Sequence, residues 1–188
     1  MKKYEFTGET KAFDGTTLHR IRALKDFGDV AAGDLGGWIK GEENLSHDGR
    51  CWVSGDARVF GDAWISDDAR VSGNAQVSGY ARVFGNAWVA GDAEIKSPKD
   101  TFWTSMIGSR YGTTTFFRCA DGKVRVTCGC FYGDLDEFLA KVEKTHGDNK
   151  HGKVYKKLIE LAKIQMEEKS PEEVTEILLV MLEREKMK

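Results

Sequence analysis

Residues 53–95 read VSGDAR VFGDAW ISDDAR VSGNAQ VSGYAR VFGNAW VAGDAE I. Set out in sixes, the string places Val53, Val59, Ile65, Val71, Val77, Val83, Val89 and Ile95 in one column. Ala57, Ala63, Ala69, Ala75, Ala81, Ala87 and Ala93 form a second, and the register never slips. A period of six belongs neither to a helix nor to a simple hairpin. It belongs to a solenoid whose flat sides repeat the same inward-pointing positions. Three hexads close a triangular coil of about eighteen residues, and coils stack about 4.8 Å apart like strands of a parallel sheet. The branched aliphatic fills the interior. Alanine lies near a corner where the chain turns inward, and a larger side chain there would overfill the prism at a cost of about 1–3 kcal/mol. Glycine beside Asp or Asn relieves the corner backbone.

Working outward, Ile39, Leu45 and Cys51 continue the alanine column backwards by spacing, so the first coil is expected to be irregular. Before it, Tyr4, Phe6 and Phe13 lead to Asp14-Gly15 and the mixed run Thr16 to Leu24, a hairpin pattern. Beyond the repeat, Thr113 to Arg118 and Lys123 to Cys128 flank Ala120-Asp121-Gly122, a second hairpin. Asp134 and Glu137 are spaced as a capping box for a helix with Leu135, Phe138, Leu139 and Val142 on its apolar face. A second helix is predicted from about Lys153 to Glu167, burying Val154, Leu158, Leu161, Ala162 and Gln165 or Ile164. Ser170-Pro171 opens a third, carrying Val174, Ile177, Leu178, Met181 and Leu182. The expected fold is mainly β with an α+β C-terminal part. Residues 1–35 form an N-terminal β cap, 36–97 a β-helix of about three coils, and 101–188 the α+β domain.

The V-x-G-D/N-A-x hexads resemble the hexapeptide-repeat family of left-handed parallel β-helices, with glycine one place later than in many members. That resemblance implies left-handed coiling and trimeric assembly. It also implies, for many members, acyl transfer with a general-base histidine beside the coil. The hexads from Val53 to Lys96 contain no histidine, so His47 and His146 are the candidate bases and coenzyme A the candidate donor.

Positions one coil apart place Trp52, Arg70 and Trp88 in one outward column and Trp64 and Arg82 in another. Guanidinium on indole is worth about 0.5–1 kcal/mol per exposed pair. Apolar surface on so narrow a prism marks contact with another subunit, so these residues are the expected oligomer surface of a homotrimer. A stacking platform for a nucleobase is the alternative. The segment Gly108 to Thr114 has the parts of an anion nest, which makes Ser109, Arg110 and Tyr111 candidate ligand-binding residues; an ordinary loop is the competing reading.

The chain's 28 basic and 30 acidic residues leave a net charge of −2, so generic DNA binding is not expected. No apolar run approaches the roughly 20 residues that span a bilayer, and MKKYEFTGET lacks a secretory core, so a cytoplasmic location without membrane contact is expected. Cys51, Cys119, Cys128 and Cys130 follow no disulfide spacing, and His146 and His151 have no zinc spacing to them, so neither a metal nor a cofactor is expected. Lys150, Lys153, Lys156 and Lys157 read as a solvated helix face.

Leu18 to Leu24, Gly33 to Ile39, Ile107 to Arg110 and Cys128 to Phe131, with Asp136 to Phe138 and Thr145 to Gly147, are similar to a group of phage and prophage proteins. These carry a prism between a small β entrance and an α+β end. The resemblance implies an accessory role in an infected or lysogenic bacterial host. The expected function is a non-catalytic oligomeric binding protein that counters host defence, by sequestering a signalling nucleotide or docking on a host protein complex. An acyltransferase-like enzyme and a virion or assembly component are the alternatives.

Overall fold

A computed structural model describes residues 2–166. The predicted third helix, with Val174, Ile177, Leu178, Met181 and Leu182, lies outside the described residues. Each hexad contributes a two-residue strand: β4 (Trp52–Val53), β5 (Arg58–Val59), β6 (Trp64–Ile65), β7 (Arg70–Val71), β8 (Gln76–Val77), β9 (Arg82–Val83), β10 (Trp88–Val89) and β11 (Glu94–Ile95). They stack as three parallel ladders, β5–β8–β11, β4–β7–β10 and β6–β9. The result is a three-turn, three-sided β-solenoid. Backbone bonds run from coil to coil, as from Arg58 N to Ala75 O at 2.8 Å and from Trp64 N to Ala81 O at 3.0 Å. Both columns are sealed: Val71, Val77, Val83, Ala75, Ala81 and Ala87 have no exposed surface.

The corners explain the glycines. Gly73 has φ of 71°, and a Cβ there would lie 2.9 Å from the backbone N of Gly91 in the next coil. A side chain would be strained by conformation and blocked by its neighbour. Asp67 occupies a glycine position with φ of 56°. Its carboxylate accepts a bond from Gly85 N at 2.9 Å, which offsets the strain.

The first coil departs from the spacing argument in register. Strand β3 (Leu35–Ile39) pairs Ile39 with Val59, and Leu45 bridges Ile65, so both sit in the aliphatic column rather than the alanine column. Cys51 does take the alanine place, because Trp52 pairs Arg70. Two extra residues, His47 and Asp48, are accommodated between Leu45 and Cys51. At this end, β1 (Tyr4–Phe13) and β2 (Thr16–Ala23) form the expected hairpin, and β2 pairs antiparallel with β3, extending one solenoid face. Lys3, fully buried, plugs the open coil: its Nζ donates to Cys51 O at 2.8 Å, and burial pushes the Cys51 thiol pKa up.

The other end is closed by an antiparallel sheet of β12 (Thr101–Ile107), β13 (Gly112–Arg118), β14 (Val124–Cys128) and β15 (Phe131–Asp134). Its aromatic rings cover corner glycines, since a Cβ on Gly85 would fall 2.4 Å from the Trp103 ring and one on Gly91 2.1 Å from the Tyr132 hydroxyl. Thr115 Oγ1 accepts from Trp88 N at 3.0 Å and Thr127 Oγ1 donates to Trp88 O at 2.6 Å, replacing the missing next coil. Consecutive residues of β13 face opposite sides: Phe117 joins the solenoid core and Phe116 joins a second core under the helices.

Helix α1 (Leu135–His146) has the predicted capping box, with Asp134 Oδ1 accepting from Glu137 N and Glu137 Oε2 accepting from Asp134 N, both at 2.9 Å. Helix α2 (Lys150–Met166) starts earlier than predicted, because Asn149 Oδ1 accepts from His151 N and Gly152 N. Its buried face is accordingly Tyr155, Ile159, Ala162 and Met166, while Leu161 and Ile164 are exposed. Among the described residues, no helix is long and apolar enough to cross a membrane.

Candidate functional site

Gly108 (φ 71°) and Tyr111 (φ 51°) fold the β12–β13 connection into a tight tip. The tip rests on α2: a Cβ on Gly108 would lie 2.0 Å from the Tyr155 hydroxyl. That contact brings Ser109 and Arg110 beside α1, where they share a cavity of about 370 Å³ with residues of β14, β15 and both helices. Phe138 and Tyr155 form its buried wall, with ring centroids 5.7 Å apart, and Phe131 lies 5.1 Å from Phe138. Arg110, Lys141 and Thr145 are exposed around it, and the His146 ring stacks on Tyr155 at 5.7 Å. Phe138, Lys141 and Thr145 meet at one cavity because the capping box sets the phase of α1 and these positions recur along one helical face.

The electrostatics are one-sided. Among the described residues, no aspartate or glutamate lines the cavity, and neither Arg110 nor Lys141 has an ion-pair partner. Burial and the neighbouring Cys128 push the Tyr155 pKa to about 12, so its hydroxyl keeps its proton at neutral pH. Two cations uncompensated among the described residues, hydroxyl donors and an aromatic wall suit an anionic group attached to a flat ring. Tyr111 lies outside this lining and is 71% exposed.

The two outward columns differ from each other. Arg82 lies over the Trp64 ring at 5.5 Å, the predicted stack, and Trp64 remains 41% exposed. In the other column Trp52, Arg70 and Trp88 are vertical neighbours as spacing required, but no open ladder forms. Trp52 is only 6% exposed because Phe27, 5.4 Å away, and Tyr4 cover it. Arg70 turns to Asp29 at 2.7 Å. Trp88 is the exposed indole of the column at 37%, its N–H donating to Ser72 Oγ at 3.0 Å. Ion pairing offered Arg70 more than an indole face did, and the loop carrying Asp29 and Phe27 was not legible as a cover.

His47 lies at the opposite end of the protein from this cavity. Its Nδ1 accepts from Lys3 N at 3.1 Å and its ring stacks on Tyr4 at 4.2 Å, holding the first strand to the irregular coil. Cys128 and Cys130 line the cavity, whereas Cys119 is buried at the solenoid end, where burial raises its thiol pKa to about 11. Among the described residues, no group of three or more His, Cys, Asp or Glu side chains converges as metal ligands. The basic stretch of α2 pairs locally, Lys156 with Asp148 at 3.1 Å and Lys157 with Glu160 at 2.7 Å. Sequence reasoning missed Lys141 and Thr145, although the α1 phase, once capped at Asp134, aligns them with Phe138.

The architecture is that of a short β-solenoid repeat protein with a cavity-bearing α+β cap. A family model described as the YdcK beta solenoid repeat matches residues 63–79. A protein of Escherichia coli (strain K12) named "Uncharacterized acetyltransferase YdcK" is 43% identical over 72 residues, which cover 34% of this chain and 22% of that protein.

Proposed function

We propose that this protein is a non-catalytic binding protein that captures an anionic small molecule of the nucleotide class in the cavity between the β12–β13 tip and α1. The observation that carries this reading is that, among the described residues, Arg110 and Lys141 stand uncompensated beside the Phe138–Tyr155 wall and no carboxylate lines the cavity. Phosphate oxygens would take the cations and the Ser109 hydroxyl, and a base would lie against the rings. In the phage or prophage setting that the sequence resemblance implies, capture lowers the free concentration of a host signalling nucleotide. Self-association as a homotrimer would use the face carrying Trp64, Arg82 and Phe84, because Trp52 is covered within its own chain.

Thermal unfolding of the full chain with adenosine or guanosine 5′-monophosphate tests the reading. Binding at about 100-fold above Kd stabilises by about 2.7 kcal/mol, a shift that Arg110→Ala and Lys141→Ala should abolish. No stabilisation by any nucleotide at millimolar concentration overturns it and leaves docking on a host protein, or a virion role, as the account to pursue.

A second reading is favoured by His146 in the same lining and by the acetyltransferase name of the relative. Coenzyme A is itself an adenine nucleotide. An acceptor amine would attack the acetyl thioester carbonyl, His146 would remove the amine proton, and the coenzyme thiolate would leave. Release of free thiol from acetyl-coenzyme A that disappears in His146→Ala supports this reading; recovery of unchanged ligand supports capture.

A further inference from the structure

The cationic cavity is not isolated. A cavity of about 260 Å³ on the solenoid face is lined by Arg50, Arg70, Trp88 and Thr113. It adjoins one of about 360 Å³ under the Phe27–Leu35 loop, and both share Arg50, Arg70 and Trp88. Gly129 lines both the Trp88 cavity and the cationic cavity, and the neighbours Gly112 and Thr113 line one each. A Cβ built on Gly112 or on Gly129 meets nothing within 4 Å. The divide between the two sites is therefore glycine backbone with open space above it.

The two sides offer different chemistry. On the solenoid side, Arg50 is tied to Asp68 at 2.6 Å and Arg70 to Asp29 at 2.7 Å, so the guanidiniums bring no net charge. The Trp88 backbone is held by Thr115 and Thr127 and its indole by Ser72, which presents a fixed, half-exposed ring. Such a platform loses little freedom when a second ring stacks on it. The net positive charge lies on the other side, at Arg110 and Lys141. Each of these two cavities alone is near the lower end of the roughly 300–1,000 Å³ range of small-molecule sites.

We infer that the ligand is a dinucleotide, lying across Gly112 and Gly129 with one base in the cavity walled by Phe138 and the other on Trp88. This rests on the nucleotide reading above and adds the second unit. The phosphate linkage passes over the glycines toward Arg110 and Lys141. Linking the two units makes the second contact intramolecular, and such linkage raises affinity by about 10²-fold or more when the geometry permits both.

Isothermal titration of the full chain with adenosine 5′-monophosphate and with the linear dinucleotide 5′-pApA tests it. The dinucleotide should bind about 10²-fold more tightly. Gly112→Leu, at a position whose backbone does not require glycine, places a side chain on the divide and should collapse that ratio toward one. Trp88→Ala, which keeps the backbone clamps of Thr115 and Thr127, should collapse it as well. A dinucleotide no tighter than an Arg110-dependent mononucleotide overturns the inference and leaves the single cavity standing. A ratio that survives both variants overturns the proposed path. Failure of both ligands to bind removes this inference together with the reading on which it rests.

Discussion

Gly108→Ala probes the contact that assembles the cavity. At φ of 71°, any residue other than glycine carries a left-handed penalty of about 1–2 kcal/mol. The added methyl would also lie 2.0 Å from the Tyr155 hydroxyl and 2.8 Å from Cζ of the same ring, well inside van der Waals contact. Tyr155 is buried against Phe138 and His146, so it cannot simply swing away, and overpacking of this kind costs about 1–3 kcal/mol. The two costs together predict a destabilisation of about 3 kcal/mol, which lowers the melting midpoint by about 6–12 °C in a protein of this size. Since the displaced tip carries Ser109 and Arg110, nucleotide affinity should fall even where the protein is fully folded. The decisive measurement is a double-mutant cycle by thermal and urea unfolding. Tyr155→Phe removes the nearer atom, so Gly108→Ala should cost at least 1 kcal/mol less in that background, roughly the share of the clash due to oxygen. Equal costs in both backgrounds would show that the tip does not bear on Tyr155 and would refute this assembly of the cavity.

Val71→Ala, sealed between Val53 and Val89, removes two methyl groups and leaves a cavity, so unfolding should show a loss of about 2–3 kcal/mol; a change below about 0.5 kcal/mol is incompatible with a packed solenoid interior. The Arg50 guanidinium holds the Asp68 carboxyl below its ordinary pKa of 3.8. The unfolded state therefore takes up the proton first, and the stability advantage of wild type over Asp68→Asn should be present above pH 3.8 and shrink as the pH falls below it. An advantage that does not change through that window would show that the pair does not form in solution. Light scattering should give a trimer that Trp64→Ala weakens and Trp52→Ala leaves at the same mass, because Trp64 is open and Trp52 is covered; a monomer at all concentrations removes the assembly.

The repeat was legible because a solenoid has translational symmetry: each Val and Ala meets its own kind one coil away, and hexad spacing alone gives the neighbours. Legibility stopped where symmetry stopped. His47 and Asp48 shift the first coil by two residues, and nothing in the spacing of Ile39 and Leu45 tells an aliphatic place from an alanine place when both hold large side chains. In the cap, the Asp134–Glu137 box made α1 readable, but α2 depended on Asn149, whose amide oxygen starts the helix before the apolar pattern does. Ser109 and Arg110 were readable as donors in a glycine-flanked tip. Their partners were not, because only tertiary packing of Gly108 on Tyr155 brings that tip to Lys141 and Thr145.

The alternation of Phe116 and Phe117 ties the two parts of the proposed site to different cores. Strand β13 is the wall between two cores, with Phe117 in the solenoid and Phe116 under the helices, so its residues are fixed from both sides. Gly112 and Thr113 begin that same strand and stand at the border of the two cavities. The proposed site across β13 would draw its flat platform, Trp88, from the repeat and its charge, Arg110 and Lys141, from the tip and helix beyond the wall. Loss of packing in either core should move one half against the other. Val71→Ala should disturb the Trp88 side before the cationic side, and a substitution under α1 such as Val142→Ala should do the reverse.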